Sequence, residues 1–331
     1  MSCEVDEPET EIVCGVSTLN KYQTPVPTRA AKTIDTKIFN KSGTFISLLL
    51  LSGISRYYHF SVAKKTPQFW GIMHNMGFVK NAEDITKMRQ GGKILAGILS
   101  ELRKMLVPGR NCLDLEKEFI KLCSKNKVVP TCKGYSPYGM PPFPTGLCVS
   151  INNQSVHCFP KKEFILKDGD VITIDTVITY KGLNLDAAFS TIVGKEKDAL
   201  KRKLVDTAKN ALYETIAEVA PGVRIGRISN KMQKIVESQG LNVLKDYAGH
   251  GIGREMHEYP EIPCYGSKND GPKLVEGMTI CIEALVCTGD DIVVNDSEWE
   301  TSMADGGYFA QAEHTILVTK DGYEILTIKG K

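Results

Sequence analysis

Twice along this chain a helical stretch is interrupted by Pro-Gly, resumes as a second helix and gives way to strand-like sequence. The first copy opens at "NAEDITKMRQGGKILAGILSELRKML", with Asn81 placed as an N-cap and acids in the first turn. Apolar residues then recur at Ile85, Met88, Leu95, Ile98, Leu99, Leu102 and Leu106, a helical rhythm. "VPGR" at 107–110 breaks it, and "LDLEKEFIKLCSK" begins a second helix. The second copy runs "DALKRKLVDTAKNALYETIAEV", then "APGVR" at 220–224, then "RISNKMQKIVESQG". The recurrence points to an internal duplication. The strand-like stretches "GDVITIDTVITY", "GMTICIEALV" and "AEHTILVT" are rich in β-branched residues. Helices covering one side of a largely antiparallel sheet, twice over, make an α+β fold.

This globular texture starts near residue 80, so the chain divides into an N-terminal extension, 1–79, and a folded domain, 80–331. The extension begins with Glu4, Asp6, Glu7, Glu9 and Glu11. From Val13 to Ala82 there are nine Lys or Arg and only Asp35 as an acid. Such a basic, acid-poor tract has the composition of an organelle address, while the acidic start argues for a disordered tail; both readings stand. Its apolar run "FISLLLLSGI" is about half the ~20 residues a membrane span needs. With 41 basic and 39 acidic residues, the whole chain carries no electrostatic footprint for nucleic acid. The ten cysteines are scattered without a CxxC pair, and Cys148 and Cys281 lie in apolar runs, as reduced thiols in a reducing compartment do.

Carboxylates sit where strands should be apolar. Asp175 interrupts "VITIDTVIT", Asp186 lies in "LNLDAAF", Glu283 in "TICIEALV", and Glu313 opens "EHTILVT". Any one of them reads as a solvent-facing residue on a half-exposed strand. Four in four strands read as a cluster, and buried carboxylates that converge raise one another's pKa unless a cation joins them. Four carboxylates with one imidazole exceed what a single divalent ion needs and suit two bridged ions. Oxygen-rich donors with one nitrogen favour Mn, Fe, Co or Zn, with no cysteine required as a ligand. The imidazole is sought in "YAGHGIGREMHEYP", where His250 and His257 stand among Gly249, Gly251 and Gly253. That run lacks the Lys-Ser/Thr of a phosphate loop and the dinucleotide spacing. Its glycines let backbone pass close to a metal and its substrate.

Asp175, Asp186, His250, Glu283 and Glu313, in the settings "TIDTVI", "LNLDAAF", "GHGIGREMHEYP", "GMTICIEALV" and "QAEHTILVT", resemble the type 1 methionine aminopeptidases. The resemblance covers roughly residues 80–331. It implies the pita-bread fold, a pseudo-two-fold α+β sheet carrying helix pairs, and a dinuclear metal centre. It implies that Asp175 chelates one ion and His250 the other, that Asp186 and Glu313 bridge them, and that Glu283 binds the His250 ion and handles the proton of the attacking water. By the same resemblance His257 stabilises the tetrahedral intermediate and His157, in "CVSINNQSVHCFP", contacts the scissile nitrogen. Cys148, Phe143, Met256 and Trp299 align with the methionine pocket. The implied substrate is the N-terminus of a nascent polypeptide with a small second residue. The enzyme is expected to act as a cytoplasmic monomer, the basic tract leaving open a mitochondrion or other organelle, or a ribosome contact.

The chain departs from the family wording at "HCFP" (Cys158, Phe159), "INNQS" (Asn153), "NLD" (Asn184) and Ala284 after the metal glutamate. No ligand is lost, so these bear on pocket shape, rate and residue preference. Proline-specific relatives share the fold but read differently at "AEHTILVT" and carry a larger N-terminal domain. Type 2 methionine enzymes have a different histidine loop and a late insertion. A non-catalytic binding module of this fold typically loses ligands that are all present here.

Overall fold

The computed structural model describes residues 78–195 and 197–329, and the backbone of three further strands. The chain divides into two units, Met1–Trp70 and Gly71–Lys331. In the first, β1 (Cys14–Gly15), β2 (Lys32–Phe39) and β3 (Phe45–Ser52) form an antiparallel sheet in that order. The expected disordered or targeting extension otherwise lies outside the described residues.

The second unit is built from two helix pairs on one sheet. α1 (Ala82–Lys104) starts where the Asn81 side chain accepts from the Asp84 amide, and it buries Met88, Leu95, Ile98, Leu99 and Leu102. α2 (Cys112–Asn126) is capped by Asn111 and stops at Lys127 in the left-handed region, φ 56°. α3 (Ala199–Ile216) is capped by Asp198; α4 (Ile225–Ser238) begins at Arg224 without a side-chain cap. The Pro-Gly hinges are equivalent. Gly109 and Gly222 both take left-handed φ, 83° and 87°. Gly109 donates to the Leu166 carbonyl and Gly222 to the Leu274 carbonyl, each at 2.8 Å. Isolated bridges Asn111–Ile165 and Arg224–Lys273 repeat the arrangement. The duplication read from the sequence is therefore present in detail.

The strands are β4 (Val129–Pro130), β5 (Cys148–Ile151), β6 (Val171–Tyr180) and β7 (Leu183–Ile192) in the first half. The second half holds β8 (Asn242–Val243), β9 (Ala248–Gly251), β10 (Glu258–Pro263), β11 (Thr279–Cys287), β12 (Val293–Asn295), β13 (Thr301–Met303), β14 (Phe309–Thr319) and β15 (Gly322–Ile325). A ten-stranded sheet runs β10-β9-β11-β14-β7-β6-β4, with β15 on β14, β5 on β6 and β8 on β11; β12 and β13 pair separately. Every pairing is antiparallel. The halves join where β14 of one meets β7 of the other. α1 packs on β6 and β7, and α3 on β11 and β14, so each pair covers its own half. The central strands β6, β11 and β14 are buried along most of their length, so charges on them are largely withdrawn from water.

Candidate metal centre

Strand register assembles the site. Asp175 on β6 lies opposite Ala188 on β7, Ala188 opposite Glu313 on β14, and Glu313 opposite Glu283 on β11. Residues directly opposed in a ladder project to the same face, so three carboxylates share one row. Asp186 precedes Ala188 by two positions and joins that face. The pairing of Gly251 with Ile280 extends one step to set His250 beside Cys281, which is two residues before Glu283. All five sequence-predicted ligand residues thus meet on one face.

The glycines allow this crowding. A Cβ on Gly249 would fall on the backbone carbonyl of Cys281, and one on Gly251 on that of Tyr259. Only glycine lets β9 lie flush between β10 and β11 and carry His250 inward.

Burial decides the electrostatics. Asp186 and Glu313 are 5% and 2% exposed; Asp175 and Glu283 are half-buried. Burial pushes Asp175 up to about 7, although Asp186 and Gln311 hydrogen-bond to it. Burial, then the Asp175 charge, takes Glu283 up to about 8. Asp186 and Glu313 are held well above the carboxylate range, first by burial and then by neighbouring carboxylates. Burial and the nearby His257 ring lower His250 to about 3, so its imidazole is neutral at neutral pH. Its Nδ1 lies 2.9 Å from the Gly251 carbonyl, which can only accept; Nδ1 carries the proton and Nε2 keeps its lone pair, 3.7 Å from Asp186 Oδ2. Asp186 Oδ1 and Glu313 Oε1 are buried without a hydrogen-bond partner. Orphaned carboxylate oxygens beside an available imidazole lone pair are what a divalent cation would satisfy. The donor set fits the metal.

Around this face stand the remaining expected residues. His257 is exposed at the mouth, its ring 4.5 Å from His250, and its Nδ1 is 3.1 Å from the Tyr135 hydroxyl. His157, in the left-handed region at φ 61°, meets Tyr247 edge-on at 5.3 Å and Trp299 at 6.2 Å. Burial, then His257, lowers it to about 4. Phe143 packs edge-on against Trp299 at 5.2 Å, and the Trp299 indole donates to the Pro141 carbonyl. Cys148 lies opposite Asp175, while Met256 shares a buried cluster with Phe143 and Cys148. Of these residues Cys148 stands directly beside a site carboxylate, and Phe143 and Trp299 pack on each other.

The loop bearing His257 is pinned from below. Lys80 pairs with Glu258 at 2.7 Å, Arg254 with Asp84 at 2.9 Å, and the Asn184 amide donates to the Gly253 and Arg254 carbonyls at 3.1 Å each. Asn184, a departure from the family wording, is thus a loop anchor here. Cys158 is buried and donates to the Thr301 carbonyl, and Phe159 meets Phe143 edge-on at 5.9 Å. Sequence reasoning missed three residues: Gln311, whose amide reaches both Glu283 and Glu313; Tyr135; and Cys281. Gln311 and Cys281 each precede a site glutamate by two, a strand-period signal that was available. Tyr135 lies in a loop and had none.

Fold and site define a metal-dependent peptidase on the pita-bread architecture. The chain belongs to metallopeptidase family M24, whose pattern it matches over residues 86–320. It is 42% identical over 250 residues to a methionine aminopeptidase of Mycoplasma capricolum, covering 75% of this chain and 97% of that one. To the Escherichia coli methionine aminopeptidase it is 34% identical over 255 residues, 76% of this chain and 94% of that one. The crystal structure of a methionine aminopeptidase from Thermotoga maritima superposes with a TM-score of 0.73 at 42% identity, covering 76% and 99% of the two chains. A prolidase from Pyrococcus furiosus, 19% identical with a TM-score of 0.60 over 79% of this chain and 68% of that one, shares the fold. Among the described residues no helix is long and apolar enough to cross a membrane.

Proposed function

We propose that this chain removes the N-terminal methionine from nascent polypeptides whose second residue is small. The observation that carries the reading is the single face shared by Asp175, Asp186, His250, Glu283 and Glu313, in a chain 42% identical to a methionine aminopeptidase. Asp175, Asp186 and Glu313 would hold one divalent ion, and His250, Glu283, Asp186 and Glu313 a second. Two such ions supply a Lewis acid and a water of lowered pKa. Glu283, at the edge of this row, accepts the proton of the attacking water and passes it on. His257, at the mouth, donates to the carbonyl oxygen as it gains charge, and His157 hydrogen-bonds the scissile nitrogen. Phe143, Cys148, Met256 and Trp299 enclose the thioether side chain. Eight buried free thiols among the described residues suit a reducing compartment, and we place the reaction in the cytoplasm.

The test is hydrolysis of a Met-Ala-Ser peptide by metal-depleted protein titrated with Mn or Co, beside an Ala-Pro peptide. Cleavage of the methionine peptide alone, saturating at two ions per chain, is expected. Cleavage of the proline peptide alone, or of neither with two ions bound, would overturn the reading.

A further inference from the structure

Cys281 occupies a place in the site that the five-ligand reading does not use. It lies two residues before Glu283 on β11 and opposite Thr315 on β14, with its Sγ 3.8 Å from Thr315 Oγ1. Its thiol is a hydrogen-bonding neighbour of Glu313. The ligand-capable atoms of Asp186, His250, Cys281 and Glu313 all lie within 4.8 Å of one another. Two of these residues also carry the orphaned buried oxygens, Asp186 Oδ1 and Glu313 Oε1. One sulfur, one nitrogen and two oxygens are a four-donor set of the kind zinc and cobalt take tetrahedrally. Asp175 and Glu283 stand outside that foursome and offer oxygen only.

We propose that Cys281 is a sulfur ligand to the ion held by His250, Asp186 and Glu313, making the two halves of the centre chemically unequal. The thiol releases its proton to solvent as the sulfur–metal bond forms. The His250 half then prefers Zn or Co, while the Asp175 half, with carboxylate donors alone, remains suited to harder ions such as Mn. The inference rests on the metal reading proposed above.

The test is optical. Metal-depleted full-length protein is titrated with Co(II), and the near-ultraviolet sulfur-to-cobalt charge-transfer band is followed alongside the weak visible bands of the ion. The band is expected in the wild type and in Cys148→Ala, whose thiol lies opposite Asp175, and is expected to vanish in Cys281→Ser. The preference for Zn over Mn should fall about ten- to a hundredfold in Cys281→Ser, the scale on which lost ligand support weakens metal sites. Zinc-edge X-ray absorption of the wild type at one equivalent of zinc needs no variant to fold, and one sulfur scatterer at about 2.3 Å is expected. Visible bands without the charge-transfer band, a band that survives Cys281→Ser, or a zinc spectrum free of sulfur would overturn the sulfur ligand and leave the oxygen–nitrogen centre standing. Absence of cobalt binding would overturn both.

Discussion

Glu283 on β11 and Glu313 on β14 are directly opposed in an antiparallel ladder and share one donor, Gln311 Nε2, at 3.4 Å and 3.0 Å. Like charges placed opposite each other destabilise a sheet, and one neutral amide cannot balance two carboxylates withdrawn from water. The pairing is tolerable only if protons or a cation join it. It is therefore the point at which fold stability and chemistry are coupled.

Replacing one member separates these roles. Glu283→Gln keeps the shape, removes one charge and removes the proton acceptor. The melting temperature of the metal-depleted variant should rise above that of metal-depleted wild type. Turnover of a Met-Ala-Ser peptide should fall by about 10²–10⁴, the range for loss of a general base. A variant that turns over near the normal rate would refute the role given to Glu283.

Metal removal should make stability depend on pH. Without a metal, burial pushes Asp175 up to about 7 and Glu283 up to about 8, above an unfolded carboxylate at about 4. The folded state then holds protons that the unfolded chain has released, so the free energy of unfolding falls as pH rises through this window. Differential scanning calorimetry at about pH 5.5 and about pH 8.5 should give the lower melting temperature at the higher pH, and added metal should reverse the order.

His157→Ala should lower kcat by at least about tenfold while two ions remain bound, because the ring touches Tyr247 and Trp299 and is not part of the carboxylate row. Metal analysis of the purified variant checks this, and loss of both ions would contradict the assignment.

Gly249→Ala should destabilise the fold by about 2 kcal/mol, since the new methyl group meets the Cys281 carbonyl and pushes β9 off β11. His250 moves with β9, so metal affinity should fall with stability. Urea unfolding and a metal titration on one preparation test both effects, and normal metal affinity in a destabilised variant would separate them.

Trp299→Ala removes the ring against which Phe143 packs and opens the wall of the proposed methionine pocket. Discrimination between Met-first and Leu-first peptides, as a ratio of kcat/KM, should drop about tenfold. An unchanged ratio would move Trp299 out of the pocket.

Much of this was legible in one dimension. Asn81 as a cap, the apolar period of α1, the Pro-Gly hinges and the β-branched strands are local properties, set by backbone dihedrals and side-chain spacing within a few residues. The carboxylates were visible because a charge in an apolar strand stands out wherever it falls. Local physics has no purchase on register between strands far apart in the chain. Only the pairing of Glu313 with Ala188, which joins the two halves, gathers four isolated carboxylates onto one face, and only the seating of β9 beside β11 brings His250 and Cys281 to it. Those pairings are selected by packing of the whole sheet beneath its helices, because a slip of one residue would turn every ligand on a strand to the opposite face.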